Sequence, residues 1–456
     1  MRYTHRSGTA RVRIILLLVV VCSLSLSAQA PSAGIEVSYV QFTLINGLNV
    51  ILHRDASVPV VSVNIWYHVG SANERAGRTG LAHLFEHLMF EGSGHVAEGA
   101  FDTLLEAAGG SNNGSTNPDR TNYFIDLPAN GLELALFLES DRMGYLLETM
   151  TPERVNGQRE VVKNERRQSY ENRPYGMASI ELDRMLWPSG HPYSWPTIGS
   201  MEDLTAASYD DIVAFFKTYY APNNASLVIA GDIDVARTKE LVEKWFSEVP
   251  RGPLAPPAAA PPAVLTEISR KTITDQVQLP RLYLAWLTPR LYAPGDAALD
   301  VAASILADGK NSRLYSRLVY ETQIAQDVYA VQDGAALGGS FLIVATAKPG
   351  IALDQIQKVI DEELDRLRRA PPDARELQRV LNQIQSSFYR SMERVGGFGG
   401  KADQLNEYYF RAGDPDFYAE DLARYTSLSP TDIQAAAVRW LPADRRVELI
   451  VEPAKQ

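Results

Sequence analysis

The chain has 456 residues, of which 45% are hydrophobic and 22% are charged. This length exceeds what one compact core holds, so we expect two or more domains, and the composition is typical of a soluble globular protein. The net charge of −11, with no basic stripe along the chain, argues against a nucleic-acid-binding protein. The single cysteine excludes an intramolecular disulfide and a cysteine-rich metal site.

The N-terminal segment has the pattern of a secretory signal peptide. Four arginines precede an apolar run at residues 14–22, and small residues follow as far as Ala28-Gln29-Ala30. The apolar run is too short for a comfortable membrane span. We therefore expect residues 1–30 to be removed during export, which leaves a periplasmic or secreted protein without a membrane-spanning segment.

Strand and helix patterns alternate through the first half of the chain. Alternating and β-branched apolar runs predict strands at residues 40–44, 48–52, 60–69, 121–127 and 225–230, and the polar run at residues 111–116 is also strand-like. Helical periodicity predicts helices at residues 80–90, 100–107, 132–147, 152–170 and 203–220. Thr79 is expected to be the N-cap of the first of these helices.

A proline-rich segment follows this first half. Residues 251–265 contain five prolines, which a packed helix or strand does not tolerate, so we interpret them as an interdomain linker. Beyond the linker, the sequence predicts strands at 281–287 and 341–347 and helices at 297–307, 353–369 and 373–394. The glycine-rich residues 396–401 are expected to be a flexible break after the last of these helices.

The two halves end alike but differ in histidine content. A helix, a proline and an apolar strand occur in that order at residues 211–229 and again at 432–451, which predicts an internal duplication. We therefore expect an α+β protein with domains at residues 31–250 and 266–456. All seven histidines precede the linker, so we expect the first domain to carry out metal chemistry and the second to shape the site.

A candidate metal site lies in the predicted helix at residues 80–90. At 100° per residue, His83, Glu86 and His87 fall within one arc of about 100°, so both imidazoles can bind one metal ion that the carboxylate also faces. A catalytic zinc site needs a third protein ligand, and the helix at 158–165 offers Glu160 and Glu165. The alternative is a half-buried polar cluster in which these side chains form hydrogen bonds and bind no metal.

The segment His83-Leu84-Phe85-Glu86-His87 matches the inverted zinc motif H-x-x-E-H. With its flanking residues, the chain resembles the family of pitrilysin, insulin-degrading enzyme and the mitochondrial processing peptidase, and its length is similar to that of the half-size members. The resemblance implies two domains of the processing-peptidase type, each a mainly antiparallel sheet packed against helices. It also implies one Zn²⁺ per chain, with Glu165 as the third ligand and Glu86 as general base.

The same resemblance suggests roles for residues outside the motif. The segment around Asn113, Gly114 and Thr116 is similar to the edge strand on which a substrate peptide adds a strand through main-chain hydrogen bonds. Gln158 stands where family members often have a glutamate that supports the metal site. Its amide can still form hydrogen bonds, but the zinc affinity is expected to differ.

One departure from the family concerns the oxyanion. The family completes its active site with an Arg and a Tyr seven residues apart, and the matching positions here are Val319 and Gln326, which supply neither a cation nor a phenol. We therefore expect a heterodimer in which a homologous subunit lacking the zinc motif supplies the Arg and the Tyr. The resulting hypothesis is an exported zinc endopeptidase acting on peptides or unfolded segments. The alternative is a non-catalytic subunit of the same fold that binds peptides or stabilises an assembly.

Overall fold

The computed structural model describes residues 35–454, so the predicted signal peptide at residues 1–30 lies outside the described part of the chain. Two β-sheets, each packed against helices, confirm the expected α+β fold. Between residues 35 and 454, no helix combines the length and the hydropathy that a bilayer crossing requires.

The first sheet has six strands in the order β1-β2-β6-β3-β5-β4. β2 and β6 are parallel, and all other neighbours are antiparallel. Its strands are β1 (Val40–Thr43), β2 (Asn49–Arg54), β3 (Val60–Tyr67), β4 (Ser111–Thr116), β5 (Thr121–Pro128) and β6 (Ala225–Gly231). The helices of this half are α1 (Leu81–Leu88), α2 (Ala100–Ala107), α3 (Leu132–Thr149), α4 (Pro152–Arg166), α5 (Gly176–Leu186), α6 (Met201–Ala206), α7 (Tyr209–Tyr219) and α8 (Val235–Phe246).

The second sheet has five strands in the order β7-β11-β8-β10-β9. Its strands are β7 (Ser269–Asp275), β8 (Arg281–Thr288), β9 (Ala325–Gly334), β10 (Gly339–Ala347) and β11 (Val447–Pro453). The helices of this half are α9 (Asp296–Ala307), α10 (Leu353–Arg369), α11 (Ala374–Ser391), α12 (Lys401–Ala412), α13 (Tyr418–Thr426) and α14 (Pro430–Trp440).

The strand orders of the two sheets reveal the duplication. In order, β7-β11-β8-β10-β9 repeats β2-β6-β3-β5-β4, and β7 is parallel to β11 as β2 is to β6. β1 is an additional edge strand of the first sheet. Residues 251–266 form neither helix nor strand between the two sheets.

Some predicted elements differ from the observed ones. The helix predicted at residues 203–220 is wrong as a single element, because the backbone is extended at Ala207 and Ser208 and divides it into α6 and α7. The side chain of Ser208 accepts a hydrogen bond from the backbone N–H of Asp211, whose carboxylate accepts one from the backbone N–H of Ser208, so a capping box begins α7. The sequence analysis also missed α5, α8, α12, α13, β7 and β9.

The glycine-rich residues 396–400, predicted to be a flexible break, form a turn after α11 that packs against the first sheet. The turn lies against Asp126 of β5, in the first sheet. The backbone N–H of Gly399 donates to Asp403 at 2.8 Å. These contacts lead the chain directly into α12.

Each half covers part of the other half's sheet. α12, from the second half, packs on β3 and β6 of the first sheet, and α5, from the first half, packs on β8 and β11 of the second sheet. Because side chains alternate along a strand, Val63 and Ile65 face the helices of their own half, whereas Asn64 and Trp66 face α12. The two halves therefore share a buried boundary, part of which is polar.

An ion pair across this boundary makes stability depend on pH. Lys401, at the start of α12, donates to the carboxylate of Asp55, and this hydrogen bond, with a second from Ser57, lowers the pKa of Asp55. A carboxyl group whose pKa is lower in the folded state stabilises the fold above its unfolded pKa of about 3.9, and this stabilisation is lost as the pH falls below it. We expect Asp55→Asn to lower the Tm at pH 7 and to have a smaller effect at pH 3. Equal shifts at the two pH values in thermal unfolding would contradict this.

Candidate active site

The start of α1 is fixed by a carboxylate that precedes it. Gly80 is the N-cap, in the left-handed region, and no side chain of its own caps the helix. The carboxylate of Glu74 instead accepts hydrogen bonds from the backbone N–H groups of Gly80 (2.9 Å) and Ala82 (2.8 Å). The expectation that Thr79 is the N-cap is wrong, because its hydroxyl donates to Asp203 at 2.6 Å and so anchors the segment before the helix to α6.

The buried face of α1 orients the candidate site. Leu84, Phe85 and Leu88 are buried in the core of the first half, which leaves His83 and His87 half-buried on the opposite side. One helix therefore presents both imidazoles on the same side, as the spacing predicts.

The structure brings the predicted metal ligands together. Nε2 of His83 lies 3.7 Å from Oε2 of Glu165, and Nε2 of His87 lies 3.2 Å from the same oxygen. Among the described residues, one candidate ligand atom from each of the three lies within 4.8 Å of the other two. Glu160, the competing candidate, pairs with Lys163 at 2.8 Å.

These separations suit a zinc ion. Two ligand atoms that each lie about 2.1 Å from a tetrahedral centre are about 3.4 Å apart, close to the two distances from Glu165. Burial lowers the pKa of His83, and a hydrogen bond with His87 lowers the pKa of Glu165. Both shifts favour the protonation states that bind metal, neutral imidazole and ionised carboxylate. The donor set of two imidazoles and one carboxylate is also one that catalytic zinc uses.

Glu86 lies beside these ligands and is held by a hydrogen bond. The hydroxyl of Thr116, at the end of β4, donates to Oε2 of Glu86 at 2.6 Å. The sequence analysis assigned Thr116 only to substrate binding and missed this contact. Between residues 35 and 454, no hydrogen bond engages the second carboxylate oxygen of Glu86, which is therefore available to a reacting group.

β4 is an edge strand next to Glu86. Within the described residues it pairs only with β5, so its other edge offers main-chain donors and acceptors along residues 111–116. Gly114 allows close packing there, because a Cβ at this position would lie 3.0 Å from Cδ1 of Tyr123 and 3.3 Å from Cγ of Glu86. The side chain of Asn113 accepts a hydrogen bond from the N–H of Gly114 at 2.8 Å.

Two family models match this chain. The model described as insulinase (peptidase family M16) matches residues 49–181, which include α1 and Glu165, and the model described as the peptidase M16 inactive domain matches residues 206–384. The chain belongs to peptidase family M16. The resemblance noted in the sequence is thereby confirmed.

Relatives of this M16 chain include named proteases. The zinc protease PqqE of Helicobacter pylori is 29% identical over 418 residues, which cover 90% of this chain and 92% of that protein. A protein of Arabidopsis thaliana named probable mitochondrial-processing peptidase subunit beta is 24% identical over 410 residues, covering 88% and 75%. The crystal structure of a protease from Helicobacter pylori matches with a TM-score of 0.85 at 26% identity and covers 91% of this chain and 100% of that one.

Gln158 lies near the M16 motif but bonds to a residue outside it. Its amide donates to Oε1 of Glu91 at 2.6 Å. Within residues 35–454, its side chain forms no hydrogen bond to His83, His87 or Glu165. The amide of Gln158 therefore orients Glu91, which lies three residues after the end of α1.

The second half of this M16 chain places no arginine or tyrosine at the two positions noted in the sequence. Val319 packs against the core of the second half, and Gln326 is exposed at the start of β9. Arg313, another candidate cation, is held by Glu376 through two hydrogen bonds of 2.7 Å each. Tyr329, by contrast, is a tyrosine of the second half that lines the same cavity as Glu165.

Glu74 is a site residue that the sequence analysis missed, since nothing in the local pattern links it to α1. Burial raises its pKa to about 8, against the opposing effect of the backbone N–H groups that it accepts from. We expect Glu74→Ala to lower the free energy of unfolding by about 2 kcal/mol, because buried N–H groups lose their acceptor, and to weaken metal binding by displacing His83. Urea unfolding and metal titration test this. Glu153→Ala, which removes an exposed first-turn glutamate of α4, should change neither quantity appreciably.

Proposed function

We propose that this chain is an exported zinc-dependent endopeptidase that hydrolyses peptides or unfolded segments. The convergence of His83, His87 and Glu165 beside Glu86 carries the proposal. A non-catalytic subunit would have no use for this arrangement. The signal-like pattern at residues 1–30 supports export to the periplasm or the medium.

His83, His87 and Glu165 would hold one zinc ion. Zinc at such a site supplies a Lewis acid that polarises the scissile carbonyl and makes water more acidic. Glu86 accepts the proton of the attacking water and returns it to the leaving amine. Thr116 orients Glu86 for both transfers through its 2.6 Å hydrogen bond.

The free edge of β4 supports a peptide as substrate. An extended chain that pairs with residues 111–116 adds a strand to the first sheet and passes Glu86. Asn113, Gly114 and Thr116 would then line the bound peptide. Because main-chain groups carry most of this affinity, the proposed enzyme tolerates many sequences and favours unfolded segments.

The proposed enzyme works as the zinc-bearing subunit of a heterodimer. Val319 and Gln326 supply neither a cation nor a phenol to an oxyanion, and Arg313 is engaged by Glu376. A homologous partner without the zinc motif would supply the missing arginine and tyrosine. The relative in Arabidopsis is itself named as a subunit.

Two measurements test the proposed function. Metal analysis of the purified chain should give about one zinc per chain, lost in His83→Ala and Glu165→Ala. Peptide hydrolysis should be weak for the chain alone and strong with its partner. Full activity of the chain alone would contradict the heterodimer, and an inactive zinc-loaded pair would contradict the peptidase.

A further inference from the structure

A cleft with a cationic wall opens next to Glu165. It has a volume of about 530 Å³ and lies between the segment that follows α4 and the second sheet. Its wall includes Glu165, Tyr170, Arg173, Tyr175, Arg281 and Tyr329. Because Glu165 belongs both to the candidate metal site and to this cleft, a group in the cleft is close to the bond that the proposed enzyme cuts.

Arg281, the first residue of β8, is oriented but not neutralised. Its guanidinium carbon lies 3.6 Å from the centroid of the Tyr175 ring, and its Nε donates to the hydroxyl of Thr346 at 2.9 Å. Thr346 in turn donates to Asp327 at 2.9 Å, so this carboxylate reaches Arg281 only through the threonine. In the part of the chain from 35 to 454, no carboxylate lies within ion-pair distance of Arg281. Its guanidinium also donates a hydrogen bond to the hydroxyl of Tyr283 in the same wall, and its remaining N–H groups are left for a ligand.

Arg173 adds a second cation to the same cleft. It is exposed, and within the described residues its side chain makes no ion pair. Glu165 is the one carboxylate in the cleft wall, and a bound zinc ion would compensate its charge. Asp275 and Asp327 lie behind the wall, where they accept hydrogen bonds from the N–H of Tyr175 and the hydroxyl of Thr346, so the wall itself presents two arginines and Glu165 to a ligand.

The backbone around Tyr175 holds the cleft in shape. Tyr175 has a φ of 61°, in the left-handed region that residues with a side chain rarely adopt. Its N–H donates to Asp275 at 2.6 Å and its hydroxyl donates to the carbonyl of Leu279 at 2.8 Å, so both ends of the residue are fixed by the second half. A Cβ on Gly176 would lie 2.2 Å from the carbonyl oxygen of Tyr170, so the turn requires glycine there. Such constrained conformations occur at sites where rigidity serves binding.

We propose that this cleft is a substrate subsite in which Arg281 binds a carboxylate of the peptide close to the scissile bond. The inference rests on the proposed peptidase function and names the preference of that site. The planar guanidinium, stacked on Tyr175, presents two N–H donors in the geometry that a carboxylate accepts. The carboxylate belongs either to an aspartate or glutamate side chain or to the free C-terminus of the peptide.

Peptide binding tests the preference without depending on turnover. The probe protein is the zinc-loaded full chain carrying Glu86→Gln, together with its partner where one co-purifies. In one set of fluorescent peptide pairs, the two members differ by glutamate or glutamine at a single position, and each position is tested in turn. In a further pair, the two members have the same sequence and end in a free carboxylate or an amide. We expect an acidic member to bind about tenfold more tightly than its neutral counterpart, and the pair that shows the difference identifies the source of the carboxylate.

Variants of Arg281 assign this difference to the cleft. Arg281→Gln should remove the preference while changing binding of the neutral peptide less than about twofold, and Arg281→Lys should restore part of it. Arg173→Gln, at an exposed site that does not endanger folding, should reduce the preference by a smaller factor. Arg369→Gln, which makes the same charge change at an exposed position on α10, should leave it intact.

Equal binding of both members of every pair, or an undiminished preference in Arg281→Gln, would overturn the proposal. Hydrolysis by the chain with native Glu86 separates this outcome from failure of the peptidase function. If neutral peptides are cut but no acidic preference exists, only the subsite assignment fails. If no peptide is cut, the peptidase function itself fails.

Discussion

Glu86→Gln should lower the rate of peptide hydrolysis about 1,000-fold while leaving the zinc content unchanged. Glutamine keeps the size of the side chain and can accept the hydrogen bond from Thr116, but it cannot take a proton from water. Because Glu86 is not among the three converging ligands, the variant should still bind zinc. Initial rates on a fluorogenic peptide and metal analysis of the same samples make the measurement.

Thr116 provides the matched control for this variant. Thr116→Val removes the 2.6 Å hydrogen bond to Glu86 with little change in shape, and Thr116→Ser restores it. We expect the valine variant to lose about tenfold in kcat and the serine variant to recover most of it, since the orientation of the base suffers but the base remains. Activity of Glu86→Gln close to that of the native chain would rule out Glu86 as the base.

How much of the candidate site the sequence predicts depends on how local each contact is. His83, Glu86 and His87 lie on one helix, where the residue spacing alone determines that they share a face. Glu165 lies 78 residues after His87. The pattern of α4 left Glu160 as a competitor, and only the family resemblance decided between them. The hydrogen bond from Thr116 to Glu86 joins an edge strand to a helix, and no periodicity encodes such a contact.

Prediction of the fold from the sequence has the same limit. The buried strands β2, β3, β5 and β6 of the first sheet were predicted within a few residues, because a buried strand has a strong apolar signal. By contrast, β7 was missed, since its run Ser269–Asp275 is largely polar and lies at the edge of the second sheet. α5 and α12 pack on the sheet of the other half, and an amphipathic pattern cannot say which sheet a helix covers. The packing of each of these helices on the sheet of the other half therefore depends on contacts between residues that are far apart in the sequence.

Asp403 provides several of the hydrogen bonds that position α12 on the first sheet. On α12, one oxygen of its carboxylate accepts hydrogen bonds from Asn64 (3.3 Å), Trp66 (2.9 Å) and Asn122 (2.9 Å) of the first sheet. The other oxygen accepts from the N–H of Gly399. Asp403→Ala would leave these buried donors without an acceptor, at about 1–3 kcal/mol each where water cannot reach them. We expect the free energy of unfolding to fall by about 4 kcal/mol, as measured in urea.

Asp403→Asn separates the shape of this side chain from its hydrogen bonding. The amide retains one acceptor oxygen for the donors of the first sheet, but its NH2 group would face the N–H of Gly399, so an intermediate loss of about 2 kcal/mol is expected. Asp444→Ala, at an exposed aspartate before β11, should change the stability by less than about 0.5 kcal/mol. If Asp403→Ala were as stable as Asp444→Ala, the polar contacts of α12 would not hold the two halves together. The apolar residues of α12 would then have to account for its position on the first sheet.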